Sequence, residues 1–250
     1  MTNSEIPKMK KLLLATAVAV LGTGAYAQDV VRIGTEGAYE PYNYIDQATG
    51  ELTGYEIELG KELCKRAELN CEFVQNAWDS IIPNLQSGNY DAIMAGMSIT
   101  EERQKVIDFS QNYIPPASSA YLALSADVNT GEGAVIAAQT GTIQAGYVAE
   151  SGATLLEFAS PDETVAAVKN GEADAVFADK DYLAPFAKDS NGELVLLPNE
   201  VQIGGGIGIG LRKSDTALKD KFNAAIQSMK DDGSVNTMIK KWFGEDSVVF

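Results

Sequence analysis

Asp79-Ser80-Ile81-Ile82, running on through Ser87-Gly88-Asn89-Tyr90-Asp91-Ala92-Ile93-Met94-Ala95-Gly96, is answered 83 positions later by Asp162-Glu163-Thr164-Val165 and Asn170-Gly171-Glu172-Ala173-Asp174-Ala175-Val176-Phe177-Ala178-Asp179. Each copy reads as a helix opened by an Asp and stopped by a Gly in a left-handed cap. An Asp then precedes a four-residue apolar run too short for a helix, hence a strand. A single repeat at a spacing beyond the roughly 20 to 50 residues of solenoids and propellers predicts two similar α/β lobes. Ligands of open α/β sheets bind beyond the carboxyl ends of strands. There one copy ends in Gly96 and the other in Asp179, so a bare backbone is expected to face a carboxylate.

Outward from the repeat, strands are expected at Val30 to Ile33, Phe73-Val74, Tyr121 to Leu124, Val135 to Ala138, Leu155 to Phe158 and Ile207 to Leu211. Helices are expected from Tyr55 to Ala67, Thr142 to Ala149, Asp215 to Lys230 and Val235 to Phe243. The strand-helix alternation builds parallel sheets. Tyr113-Ile114-Pro115-Pro116 and Gly204-Gly205-Gly206 break regular structure on either side of the second copy and read as crossings between lobes. The expected division is residues 29–115 with 206–250 as lobe 1 and 116–205 as lobe 2, with hinges at the crossings.

Lys10-Lys11, the apolar run Leu12 to Leu21 and Ala25-Tyr26-Ala27 have the pattern of a secretory signal with a small-residue cleavage site, so residues 1–27 are expected to direct export and Gln28 to begin the mature chain. Met1 to Lys8 reads as an upstream extension. Without residues 1–27 the chain keeps 16 Lys and Arg against 34 Asp and Glu, a net charge of −18. That excess argues against nucleic acid and anionic membrane as partners and favours cationic solutes. At 45% apolar and 22% charged residues the chain is ordinary for a globular protein.

His is absent, which removes the commonest general base and the Ser-His and Cys-His nucleophile pairs. No metal site or cofactor is expected. Cys64 and Cys71, the only cysteines, read as a disulfide in an exported protein or as two buried thiols.

Ser98 and Glu101 have the spacing of a capping box, which predicts a helix beginning near Thr100 with Arg103 in its first turn. A cation is disfavoured at that positive end. Arg103 is therefore expected to have an anion opposite it, either a ligand or a local Glu101, Glu102 or Asp108. Thr140-Gly141-Thr142-Ile143-Gln144 follows a strand and opens a helix, leaving backbone N–H groups for an anion. An Arg and a helix terminus on one side, with Asp179 on another, suit the carboxylate and ammonium shared by all amino acids.

Over residues 29 to 243 the chain resembles the periplasmic amino-acid-binding proteins of ABC importers, in particular the lysine/arginine/ornithine, histidine and octopine binders. The resemblance rests on Ile33-Gly34-Thr35-Glu36-Gly37-Ala38-Tyr39-Glu40-Pro41-Tyr42, Gly54-Tyr55-Glu56-Ile57-Glu58-Leu59, Tyr90-Asp91-Ala92-Ile93, Ser98-Ile99-Thr100-Glu101-Glu102-Arg103, Gly210-Leu211-Arg212-Lys213 and Lys241-Trp242-Phe243. It implies a two-lobed periplasmic binding protein fold with two hinge crossings. It also implies a monomeric periplasmic receptor that delivers a cationic amino acid or opine to a membrane permease.

By the same resemblance Cys64 and Cys71 form a disulfide loop, Arg103 holds the α-carboxylate with Thr142 and Ile143, and Asp179 accepts from the α-ammonium. Ser98 and the backbone near Gly96 complete that grip. Glu36 meets the distal cation, Tyr39 and Trp78 supply aromatics, and Gln144 reaches the ligand. Ile143 stands where the family usually has a hydroxyl residue, and Ala95-Gly96 replace a frequent serine pair. The alternative implied by the same family is a cyclohexadienyl dehydratase-type enzyme with Glu36 or Asp179 as general acid.

Overall fold

The computed structural model describes residues 1–2 and 30–250. The export signal expected over residues 1–27 lies, apart from its first two positions, outside the described residues.

The chain begins with β1 (Val30–Thr35), a small antiparallel sheet of β2 (Ala38–Tyr39), β3 (Asn43–Ile45) and β4 (Leu52–Thr53), then α1 (Tyr55–Arg66) and β5 (Asn70–Gln75). The first repeat copy supplies α2 (Trp78–Gln86) and β6 (Ala92–Ile93), followed by the single turn α3 (Glu101–Gln104) and β7 (Asp108–Ile114). The second lobe carries β8 (Ser118–Ala123), β9 (Val135–Gln139), α4 (Ile143–Glu150), β10 (Thr154–Phe158) and, from the second copy, α5 (Pro161–Lys169) and β11 (Ala175–Asp179). There follow α6 (Lys180–Asp189), β12 (Val195–Leu196) and β13 (Val201–Gln202), before β14 (Ile207–Leu211), α7 (Thr216–Asp231) and α8 (Ser234–Phe243) return to the first lobe.

The sheets run β5-β1-β6-β14-β7 and β10-β9-β11-β8-β12, with β13 beside β8. The strands of the repeat, β6 and β11, both stand third. Each has a parallel neighbour on one side and an antiparallel neighbour on the other. The 83-residue repeat is thus a structural duplication, one copy per lobe.

Helices cover both faces of each sheet, which is why the central strands are continuously apolar rather than alternating. On one face of the first sheet Leu59 and Leu63 of α1 pack with Phe222, Ile226 and Met229 of α7 and Ile239 of α8; Ile81 and Leu85 of α2 fill the other with Ile93 and Phe109. In the second sheet Tyr121, Ile136, Val148 and Phe177 form one side while Val165, Val168, Val176 and Leu183 form the other. Cys64 of α1 and Cys71 of β5 are disulfide-bonded, closing a loop seven residues apart in sequence. The two-thiol alternative is excluded.

The chain passes between the sheets at 115–117 and 203–206. At the second crossing Gly206 has φ +87°, and a Cβ there would lie 2.6 Å from the Ile114 carbonyl oxygen. Only glycine fits a backbone laid that close to the first crossing.

Three helix starts differ from expectation. α2 begins at Trp78 behind Ala77, whose methyl cannot cap, so Asp79 lies inside the first turn. α5 is opened by Ser160, whose N–H donates to Glu163 at 3.0 Å, with Pro161 as first helical residue, rather than by Asp162. α3 is capped by Thr100, whose hydroxyl accepts from the Arg103 N–H at 3.2 Å. Ser98 does not cap it, being held in an antiparallel bridge with Ile207.

Candidate functional site

A cleft lies between the lobes at the carboxyl ends of the strands. It is lined by Glu36, Tyr39, Trp78, Ala95, Gly96, Ser98, Arg103, Thr142, Ile143, Gln144 and Asp179, and by one residue absent from the sequence reading, Gln139. Glu36 follows β1, Ala95 and Gly96 follow β6, Gln139 ends β9 and Asp179 ends β11.

At one part of the cleft anion-attracting groups converge. Arg103 donates from Nη1 to the Ser98 carbonyl at 2.8 Å and from Nη2 to the Gly141 carbonyl at 3.4 Å, and its guanidinium lies 5.2 Å from the Trp78 ring centroid. Desolvation pulls its pKa down to about 10, although the field of Asp179 opposes this. It pairs with none of Glu101, Glu102 and Asp108: Glu102 pairs with Lys105 and Asp108 with Lys219. Next to it begins α4. Thr142 caps that helix by accepting from Ala145 N–H at 3.1 Å, and its own N–H is taken by the Gln139 carbonyl. The Ile143 and Gln144 N–H groups are left as the orphan donors of the first turn.

Asp179, on the second lobe with α4, faces Arg103. Its Oδ2 accepts from the Tyr39 hydroxyl at 2.8 Å and its Oδ1 from Gln144 Nε2 at 3.0 Å; the same Nε2 lies 3.0 Å from Ser119 Oγ. Burial raises the Asp179 pKa to about 6, against the lowering effects of Tyr39, Arg103 and Gln144. Tyr39 is stacked on Tyr182 of α6, with ring centroids 4.2 Å apart, so one of its faces is already covered.

Gly96 sits opposite at φ +63°, with Tyr39 as the nearest neighbour of any added Cβ, at 3.5 Å. Its N–H is not free for a ligand: it donates to both carboxylate oxygens of Glu56, at 2.8 and 3.0 Å. Glu56 is fully buried, and Asn43 and Tyr113 also hydrogen-bond to it. Only the carbonyl of Gly96 remains, which suits a cation and not an anion.

Glu36 is 8% exposed. Its Oε1 accepts from Gln139 Nε2 at 2.7 Å, yet desolvation, with the nearby acids Asp162 and Asp79, raises its pKa to about 7. Trp78 is also buried, packed with Ile81 and Leu85.

Among the described residues no group of three His, Cys, Asp or Glu side chains is placed to hold a metal ion, and no helix is long and apolar enough to cross a membrane.

The family model for bacterial extracellular solute-binding proteins, family 3, matches residues 31–245. A putative ABC transporter arginine-binding protein 2 of Escherichia coli (strain K12) is 32% identical over 244 residues, covering 94% of this chain and 99% of its own. Among solved structures, a periplasmic His/Glu/Gln/Arg/opine family-binding protein from Silicibacter pomeroyi in complex with lysine is 65% identical with a TM-score of 0.85, covering 88% of this chain and all of its own. An ancestral amino-acid-binding protein, a precursor of cyclohexadienyl dehydratase, is 32% identical with a TM-score of 0.78, covering 86% and 95%.

Proposed function

We propose a function from one premise: the chain belongs to the bacterial extracellular solute-binding proteins, family 3. It is a receptor that captures a free cationic amino acid (arginine, lysine or ornithine) or a related opine, and presents it to the membrane permease of an ABC importer. Arg103 and the free Ile143 and Gln144 N–H groups at the amino end of α4, the helix that Thr142 caps, receive the α-carboxylate. Asp179, the Gly96 carbonyl and Ser98 receive the α-ammonium, Ala95 leaves room beside them, and Glu36 takes the distal cation near Trp78 and Tyr39.

The observation that carries this reading is the separation of charge along the cleft. Arg103 and Asp179 act on each other, whereas the charges felt most at Glu36 are the acids Asp162 and Asp79. A desolvated carboxylate beside other acids, with only a neutral amide as partner, is stabilised by a cation. Relatives named for arginine and histidine binding, and the lysine complex of a 65% identical protein, support the same class of ligand. Titration calorimetry with arginine, lysine, ornithine, histidine and glutamate tests it.

Residues 29–115 with 206–250 and residues 116–205 act as lobes that close by bending at the two crossings. The protein works as an exported monomer in the periplasm, with residues 1–27 as its signal.

A second reading has two observations in its favour. Glu36, held near 7 in a sheltered cleft, has the pKa of a general acid, and a structural neighbour is a dehydratase precursor. Turnover of prephenate or arogenate, abolished by Glu36→Gln, would establish it.

A further inference from the structure

Gln139, the last residue of β9 and 8% exposed, reaches across the cleft to the other lobe. Its Nε2 donates to Glu36 Oε1 at 2.7 Å and to the Ala159 carbonyl at 3.1 Å. A primary amide has two N–H donors, and both are used. Because a carboxylate and a carbonyl are both acceptors, the flipped amide would set oxygen against two oxygens, so chemistry dictates the orientation. The Oε1 of that amide accepts nothing from the described residues, and the side chain lines the cleft. A fixed neutral acceptor therefore stands beside a fixed acidic one. An ammonium carries three donors and a guanidinium five, more than one carboxylate oxygen can satisfy.

Resting on the cationic-ligand reading above, we propose that Gln139 is a specificity-determining residue: its Oε1 accepts a second hydrogen bond from the ligand's distal cation while its Nε2 holds Glu36 in position to accept the first. An aliphatic side chain has no donor for either oxygen and leaves both desolvated, so Gln139 acts against such ligands as well as for cationic ones. Around Glu36 stand Gln75 of β5, Asp79 of α2, Asp162 of α5 and Tyr182 of α6, with Arg103 and Asp179 elsewhere in the cleft. Of the named influences on the Glu36 carboxyl, Gln139 alone lowers its pKa. Its loss therefore raises the pH needed to ionise Glu36.

The test is calorimetry of wild type and Gln139→Met, a near-equal volume with no donor and only a weak thioether acceptor, with arginine, lysine and methionine between pH 5 and 8. The variant is expected to lose about tenfold or more in affinity for arginine and lysine, as for a hydrogen bond to a charged group. Methionine should bind no worse, and the pH at which arginine binding is half lost should move upward. Equal weakening of all three ligands with an unmoved pH midpoint would assign Gln139 a merely structural role and overturn the proposal. If wild type binds no cationic amino acid, the functional reading itself fails and takes this one with it. If wild type binds them and the variant keeps both ratio and midpoint, only the role of Gln139 falls. Should Gln139→Met not fold, Gln139→Asn, too short to reach Glu36, is expected to give the same two changes, and their absence counts equally against the proposal.

Discussion

The Tyr39 hydroxyl and the Asp179 carboxylate, 140 positions apart in the chain and on opposite lobes, meet across the cleft at 2.8 Å. The groups assigned to the ligand's ammonium thus also tie the lobes together, alongside the Glu36–Gln139 and Arg103–Gly141 contacts. The atoms proposed to meet the ligand are therefore among those that join the two lobes.

Asp179→Asn and Arg103→Ala are accordingly expected to weaken every amino-acid ligand alike, each by roughly 2 to 5 kcal/mol, because each leaves a desolvated ligand charge unpaired. Calorimetry with arginine, lysine and glutamine reads this directly. Unchanged affinity in Arg103→Ala would reduce that side chain to a lobe contact.

The pH dependence has two opposite signs. Glu36 and Asp179 have folded pKa values near 7 and 6, above their ordinary values of 4.5 and 3.8, so the unliganded fold binds more protons than the unfolded chain. Their contribution to stability is full below the ordinary carboxylate range and declines as pH rises through about 7. The affinity for a cationic ligand, which needs Glu36 ionised, runs the other way and rises as pH climbs through about 7. Melting temperatures of the unliganded protein and calorimetry over pH 5 to 8 check both slopes, and Glu36→Gln should reduce both, leaving the part due to Asp179. A flat affinity profile in the wild type would remove Glu36 from the cation site.

Part of the cleft was legible because its residues punctuate the chain: Asp179 ends an apolar run, Gly96 ends the matching run, Arg103 lies in a first turn that disfavours it and Thr142 opens a helix, whereas Glu36, Tyr39 and Trp78 were reached only through the family resemblance. Gln139 escaped because the strand was expected to stop at Ala138. The usable signal was a polar residue closing an apolar strand just before Thr140-Gly141-Thr142. The role of the Gly96 N–H was also invisible, since its partner Glu56 sits in an amphipathic helix where an acid near the amino end looks like a dipole partner at the surface. The α6 helix was masked by Pro185, and β2 to β4 are two or three residues long, below what periodicity can resolve.

Trp78 has two jobs that mutation separates. It is 9% exposed in the cluster with Ile81, Leu85 and Tyr90, and it carries the Arg103 guanidinium over its ring. Trp78→Ala is expected to lower the stability of the unliganded protein by about 3 kcal/mol or more and also to weaken binding, whereas Trp78→Phe should restore most of the stability. Urea denaturation without ligand reads the first effect. An unchanged midpoint in Trp78→Ala would mean the ring adds nothing to the core.

The Cys64–Cys71 bridge closes a short loop, so reduction should lower stability by about 2 kcal/mol while the fold and ligand affinity persist. Denaturation with and without reductant measures it. Loss of binding on reduction would show that the bridge also positions the cleft.

The central claim is that the cleft selects a cationic amino acid. Its most direct test is a thermal-shift titration of the purified protein against the proteinogenic amino acids and opines at pH 7.5. A ligand at 100 times its dissociation constant adds about 2.7 kcal/mol of stability, which such a titration resolves. Arginine, lysine, ornithine or an opine is expected to raise the melting temperature most; a larger rise with glutamate or a branched aliphatic amino acid would contradict the claim.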